Sequence, residues 1–71
     1  MKIEFDKQAD ALYIYIKEKP VAKTKEVEEG VLIDFDEENL LIGIEVLDVT
    51  KRFALSDIIN FQVENLPIEM A

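Results

Sequence analysis

Three acids give the first hint of chemistry. Asp34, Asp36 and Glu38 stand at i, i+2 and i+4, the spacing with which the first half of a calcium loop presents its oxygens. Such a loop also needs glycine at its sixth position and a bidentate acid at its twelfth. Here the sixth position is Asn39 and the twelfth is Glu45, which lies in a run that alternates like a strand. A divalent-metal or small-ligand domain using the acidic turn 34–38 is therefore the alternative reading, with Asp34, Asp36 and Glu38 as its candidates. The favoured reading has Asp34 and Asp36 facing water from a strand and residues 37–39 forming a solvated turn, with no metal and no cofactor. A carboxylate pair for acid–base or glycosidic work could be drawn from Asp6, Asp10, Asp34, Glu45 and Asp48. That chemistry needs two acids with pKa values pushed apart inside a cleft, and a short chain leaves little depth for one. The sequence has no His and no Cys, so the commonest base and the best nucleophile are both missing, and no catalytic site is expected. Asp10, between alanines, and Glu45, inside an apolar strand, are the acids expected to be partly buried, in structural roles such as bonding turn amides.

Tyr13 and Tyr15 share a strand face, and tyrosine suits interfaces because it joins apolar area to a polar tip. With Leu47, and Leu41 as an addition, they are the interface candidates. Burial beneath the C-terminal segment is the competing reading. Lys51-Arg52 reads as a solvated loop rather than a phosphate site.

The elements that must position these side chains follow from period-two alternation, the pattern of half-buried strands. Residues 2–6 put Ile3 and Phe5 on one face, and Asp6 to Asp10 supply a turn. Residues 11–17 put Leu12, Ile14 and Ile16 on one face and the tyrosines on the other, which predicts a central strand covered on both sides. Lys19-Pro20 breaks the run. Residues 21–28 carry Lys23, Lys25, Glu26 and Glu28, which suits a charge-protected strand near an edge. Strands at 31–36 and 40–47 follow, the second holding Gly43, where a missing side chain signals a bulge or a close approach. Residues 49–53 are too short to assign, and Ser56-Asp57 could cap one helical turn. Residues 58–64 alternate again, with a helix over 56–65 as the competing assignment. The fold class is mainly β to α+β: a single antiparallel five- to six-stranded meander, sequential strands paired, with at most one short helical turn near the C-terminus.

With 71 residues the chain allows one domain, spanning 1–71. A chain this short buries only about 60% of its unfolded surface, so a second copy or a partner is a reasonable source of further burial. The formal charge is −8, which disfavours direct contact with nucleic acid and is compatible with a small basic protein partner. Acids interrupt the N-terminal stretch where a signal peptide would be apolar, and no apolar run approaches the roughly 20 residues that span a bilayer. The expectation is a cytoplasmic protein without membrane contact.

The stretches Phe5-Asp6-Lys7-Gln8-Ala9-Asp10-Ala11-Leu12-Tyr13-Ile14, Gly30-Val31-Leu32-Ile33-Asp34-Phe35-Asp36 and Ile42-Gly43-Ile44-Glu45-Val46-Leu47-Asp48 together resemble the small proteins of domain of unknown function 2283, the YuzE-like family. The resemblance covers roughly residues 1 to 52 and implies a sheet-rich domain of bacteria and archaea with no assigned activity, no cofactor and no catalytic residues to carry over. Similar sequences place Gly in the hairpin where this chain has Glu37-Glu38-Asn39-Leu40. Asn39 is expected to take over the left-handed backbone. The functional expectation is an acidic binding or regulatory module acting through protein–protein contacts, as a homo-oligomer or with a small basic partner. The resemblance suggests an antitoxin-like form of that role.

Overall fold

The alternating segments pair into one five-stranded antiparallel sheet in a computed structural model that describes residues 1–60 and 62–64. Strand β1 (Lys2–Asp6) runs into β2 (Ala11–Tyr15) through a turn held by Asp6, whose Oδ1 accepts the amides of Gln8 at 3.0 Å and Ala9 at 3.1 Å. Strand β3 (Lys23–Glu28) joins β4 (Val31–Phe35) across Glu29-Gly30, where Gly30 has φ +81°, a conformation that costs glycine least. Strand β4 joins β5 (Leu41–Leu47) through a turn closed by Asn39 N–H on the Asp36 carbonyl at 3.0 Å. Asn39 has φ 64°, so it does adopt the left-handed backbone in place of glycine.

The fold is mainly β with a small helical part, but the strands do not follow one another in a simple meander. Their order is β1-β2-β5-β4-β3, so β2 pairs with β5, and residues 16–22 carry the chain past the end of the sheet to its far edge. Strands β2 to β5 thus form a Greek key extended by β1. The physical reason lies in the strands themselves. Sequential pairing would set the charged β3 in the middle and leave the apolar β5 at an edge, whereas the observed order centres β5 and gives β3 the edge that its lysines and glutamates protect. Strand β2 stops at Tyr15 because the amides of Ile16 and Lys17 both turn onto the Ile42 carbonyl, at 2.9 and 3.2 Å. The pairing of β5 with β4 shifts register beside Gly43, between the pairs Asp34–Gly43 and Phe35–Leu41.

Two short helices follow rather than a single turn: α1 (Val49–Arg52) and α2 (Leu55–Ile59). Ser56 is not the cap of α2. Ala54 precedes the helix, and the Asp57 carboxylate accepts the Ala54 amide at 3.2 Å. Residues 56–59 of the ambiguous stretch are therefore helical, residues 60 and 62–64 have no regular structure, and the remainder of it, residues 61 and 65, lies outside the described residues. No helix among the described residues is long and apolar enough to cross a membrane.

Strand register sorts the side chains onto two faces. On one, Ile3, Ile14, Ile44, Ile33 and Lys25 form a row across the sheet, and Phe5, Leu12, Val46, Val31 and Glu28 form the next. On the other stand Glu4, Asp6, Tyr13, Tyr15, Gly43, Glu45, Leu47, Asp34, Thr24 and Glu26. Among the described residues only Ala11, Ile42 and Val49 form a buried apolar core.

Candidate functional site

The acid–tyrosine face is built around Gly43. Its backbone is not left-handed, so the glycine is there for space: a Cβ would lie 2.6 Å from the Tyr13 hydroxyl oxygen. Through that gap the Tyr13 ring crosses β5 and donates its hydroxyl to Asp34 Oδ2 on β4. The Thr24 hydroxyl, on β3, donates to Asp34 Oδ1 at 2.6 Å. Strands β2, β3 and β4 are thus joined by one carboxylate across β5, and Asp34 is buried rather than solvent-facing. Burial and then the hydrogen bond to Asp34 push the Tyr13 phenol well above the usual tyrosine range. The Tyr15 ring lies 4.2 Å from that of Tyr13, and its hydroxyl donates to Glu4 at 3.1 Å, which raises its pKa as well. Lys2 Nζ sits 4.5 Å from the Tyr15 ring centroid.

Asp36 holds the crossing segment. Its Oδ1 accepts the amides of Glu38 and Leu40, both at 2.9 Å, and its Oδ2 accepts Lys19 Nζ at 2.8 Å. The Lys19 ammonium, and then the Leu40 amide, hold its carboxyl below the usual carboxylate range, and Asp36 raises Lys19 in return. Its side chain is only 3% exposed, so Asp36 too is buried rather than facing water. Glu38 is exposed and reaches Lys19 at 3.4 Å. All four carboxylate oxygens of Asp34 and Asp36 therefore already accept hydrogen bonds. Among the described residues, no group of three or more acids, His or Cys converges on a point where a metal could sit. Between the tyrosines and the crossing segment lies an open groove of about 370 Å³, lined by Tyr13, Tyr15, Lys17, Glu18, Lys19 and Pro20.

Two anchors join distant parts of the chain: the structural role expected of partly buried Asp10 is met, with a partner the sequence did not indicate, and that of Arg52 was not foreseen. Asp10, with φ 52°, accepts the Thr50 hydroxyl at 2.8 Å and the Thr50 amide at 3.2 Å, so it caps α1 from 40 positions away. The Arg52 guanidinium donates to the carbonyls of Leu47 and Glu29 and lies 3.6 Å from Glu28, clamping the β3–β4 turn to the end of β5. Arg52 is thus a brace, not part of a solvated basic loop. Its signal was limited to its place just after the last strand.

The opposite face is the larger feature. Helix α2 leans over its β1–β2 side, where Phe53, Asp57 and Ile58 enclose about 340 Å³ with Ile3, Leu12 and Ile14. The described helix therefore stands on the side of the sheet away from Tyr13 and Tyr15. Val31, Ile33, Phe35, Ile44 and Val46 remain only half-buried, and Ile3 is 40% exposed. Of the acids on strands, Glu4, Asp6, Glu26, Asp34 and Glu45 all stand on the tyrosine face, while Glu28, at the end of β3, reaches Arg52. A chain of charge −8 thus keeps one sheet face almost free of acids.

An uncharacterized protein of Methanocaldococcus jannaschii is 38% identical over 53 residues, which is 75% of this chain and 45% of that protein, so the match spans about half the relative's length. No solved structure matches the chain. The family described as Protein of unknown function (DUF2283) matches residues 2–49, which takes in every strand of the sheet, and the chain belongs to that family.

Proposed function

We propose that this chain is a small noncatalytic binding module that acts through protein–protein contact, with the apolar sheet face as its contact surface. One observation carries the reading: a single-layer sheet whose apolar face, along Val31, Ile33, Phe35, Ile44 and Val46, has no second layer over it among the described residues. Stable domains bury such a face against another layer, and a contiguous apolar patch rimmed by polar residues marks an interaction site. The hydrophobic contribution is about 25 cal/mol per Å² of apolar surface removed from water, so covering this face is worth several kcal/mol to a thin-cored chain.

A second reading, the regulatory or antitoxin-like one, assigns a small basic partner to the opposite face. Segregation of Glu4, Glu26 and Glu45 onto the side that carries Tyr13, Tyr15 and Leu47 supports it, because a basic surface would find acids and aromatic area together. Photo-crosslinking amino acids placed singly at Ile33 and at Glu45 in living cells test both. Protein adducts from Ile33 are expected. Adducts from Glu45 alone would move the contact to the acid–tyrosine face, and none from either position would overturn the contact role.

A further inference from the structure

We propose that the occupant of the apolar face is a second copy of the same chain, packed face to face about a two-fold axis parallel to β4. This rests on the contact role proposed above and specifies its partner. With the strand order β1-β2-β5-β4-β3, such an axis sets β4 on β4, lays each β3 over the other copy's β5, and brings each α2 alongside the other copy's β3. The uncovered half of each face meets its equivalent, and α2, which leans over β1 and β2, flanks the pair instead of blocking it. Sheets stacked this way keep their strands aligned about 10 Å apart, with the inner side chains interdigitated.

A two-fold interface must be self-complementary, and this face is. Lys25 continues the row Ile33–Ile44–Ile14–Ile3, and Asp57 stands on the same face, lining one cavity with Ile3, Leu12 and Ile14. Rotation about an axis parallel to the strands leaves the level of a row unchanged. The stem of Lys25 of one copy therefore lies on Ile44 of the other, with its ammonium at the rim that carries the other copy's α2 and Asp57. The strand acids Glu4, Asp6, Glu26, Asp34 and Glu45 point away from the contact, and Glu28, opposite Val31 at the end of β3, lies 3.6 Å from the Arg52 guanidinium, so little of the charge of −8 opposes it at close range. The three overlapping strands β5, β4 and β3, at about 4.8 Å spacing and with five residues at about 3.3 Å, give a face of roughly 240 Å² in projection. Two such faces, flanked by the α2 helices, fall in the size range of weak, transient contacts, so the association is concentration-dependent and is read at high protein concentration.

Sedimentation equilibrium of the full chain from about 5 to 500 μM reads the dimer, with circular dichroism confirming the sheet in each variant. Ile33→Lys, at the axis, should abolish association. Lys25→Glu, on the exposed edge strand where folding is not at risk, should weaken it about tenfold. The sequence has no cysteine, so Ile33→Cys can be joined to its equivalent by a short bismaleimide, whereas Glu45→Cys, on the far face, should not be joined. A parent chain monomeric throughout, or a dimer unmoved by Ile33→Lys, overturns the proposal. If a monomeric chain still yields adducts to another protein from Ile33 in cells, only the identity of the occupant fails. If it yields none, the contact role fails with it.

Discussion

Gly43→Ala is the perturbation that most directly tests why the acid–tyrosine face is built as it is. A Cβ at position 43 would meet the Tyr13 hydroxyl oxygen at 2.6 Å and two further ring carbons at 3.1 Å, closer than such contacts allow. The ring must swing away, and its hydroxyl then leaves Asp34, which remains buried with Thr24 as its side-chain donor. A hydrogen bond to a charged group contributes about 1.5–3 kcal/mol. Alanine in place of glycine within a strand returns about 0.5–1 kcal/mol of conformational entropy. The difference is a net loss of about 1–2 kcal/mol, or roughly 5–15 °C in melting temperature for a chain of this size. Urea and thermal denaturation of Gly43→Ala, Tyr13→Phe and the double variant measure it. The two effects should be strongly non-additive, because once the hydroxyl is gone the methyl group displaces nothing that Asp34 needs. Gly43→Ala as stable as the parent, or equally costly in the Tyr13→Phe background, would refute the reasoning.

Asp36 has its folded pKa depressed below the ordinary 3.8, so its stabilisation is complete above that value and is lost as pH falls through the folded pKa. Asp36→Asn should lower the melting temperature at pH 7 and flatten the acid limb of stability against pH; an unchanged limb would contradict the Lys19–Asp36 tie. Tyr13 has the opposite sign of dependence: its folded pKa is raised above the ordinary 10.0, so stability is full below pH 10 and falls as pH rises beyond it. Tyr13→Phe should remove part of that alkaline loss, followed by denaturation between pH 9 and 12. Arg52→Lys should cost about 1 kcal/mol in urea denaturation, since a single ammonium cannot span the carbonyls of Leu47 and Glu29 as the planar guanidinium does.

Alternation made all five strands legible to within two residues at either end, because one residue of slip would turn every Ile and Phe of these strands to the wrong face. The exposed edge at β3, the central place of β2, the close approach at Gly43 and the left-handed Asn39 were legible for the same kind of reason: each is a local demand written in residue type. The pairing order was not, because it depends on which strands compete for the centre. The hint that would have corrected it was present in the charges of β3 set against the apolar run of β5. Asp34 and Asp36 read as solvent-facing because alternation says which side an acid points to, not whether a tyrosine two strands away or a lysine on the crossing segment will cover it. The reach of Asp10 to Thr50 and of Arg52 to the β3–β4 turn spans the whole sheet, and no local pattern encodes such distances.

Carbene footprinting of the chain at several hundred micromolar and again after hundredfold dilution tests most directly which face makes contact. The account predicts that labelling of Ile33, Ile44 and Val46 rises sharply on dilution while labelling at Tyr13, Tyr15 and Glu45 stays constant. Labelling of the isoleucine row that is equally strong at both concentrations, or a change confined to the tyrosine face, would contradict it.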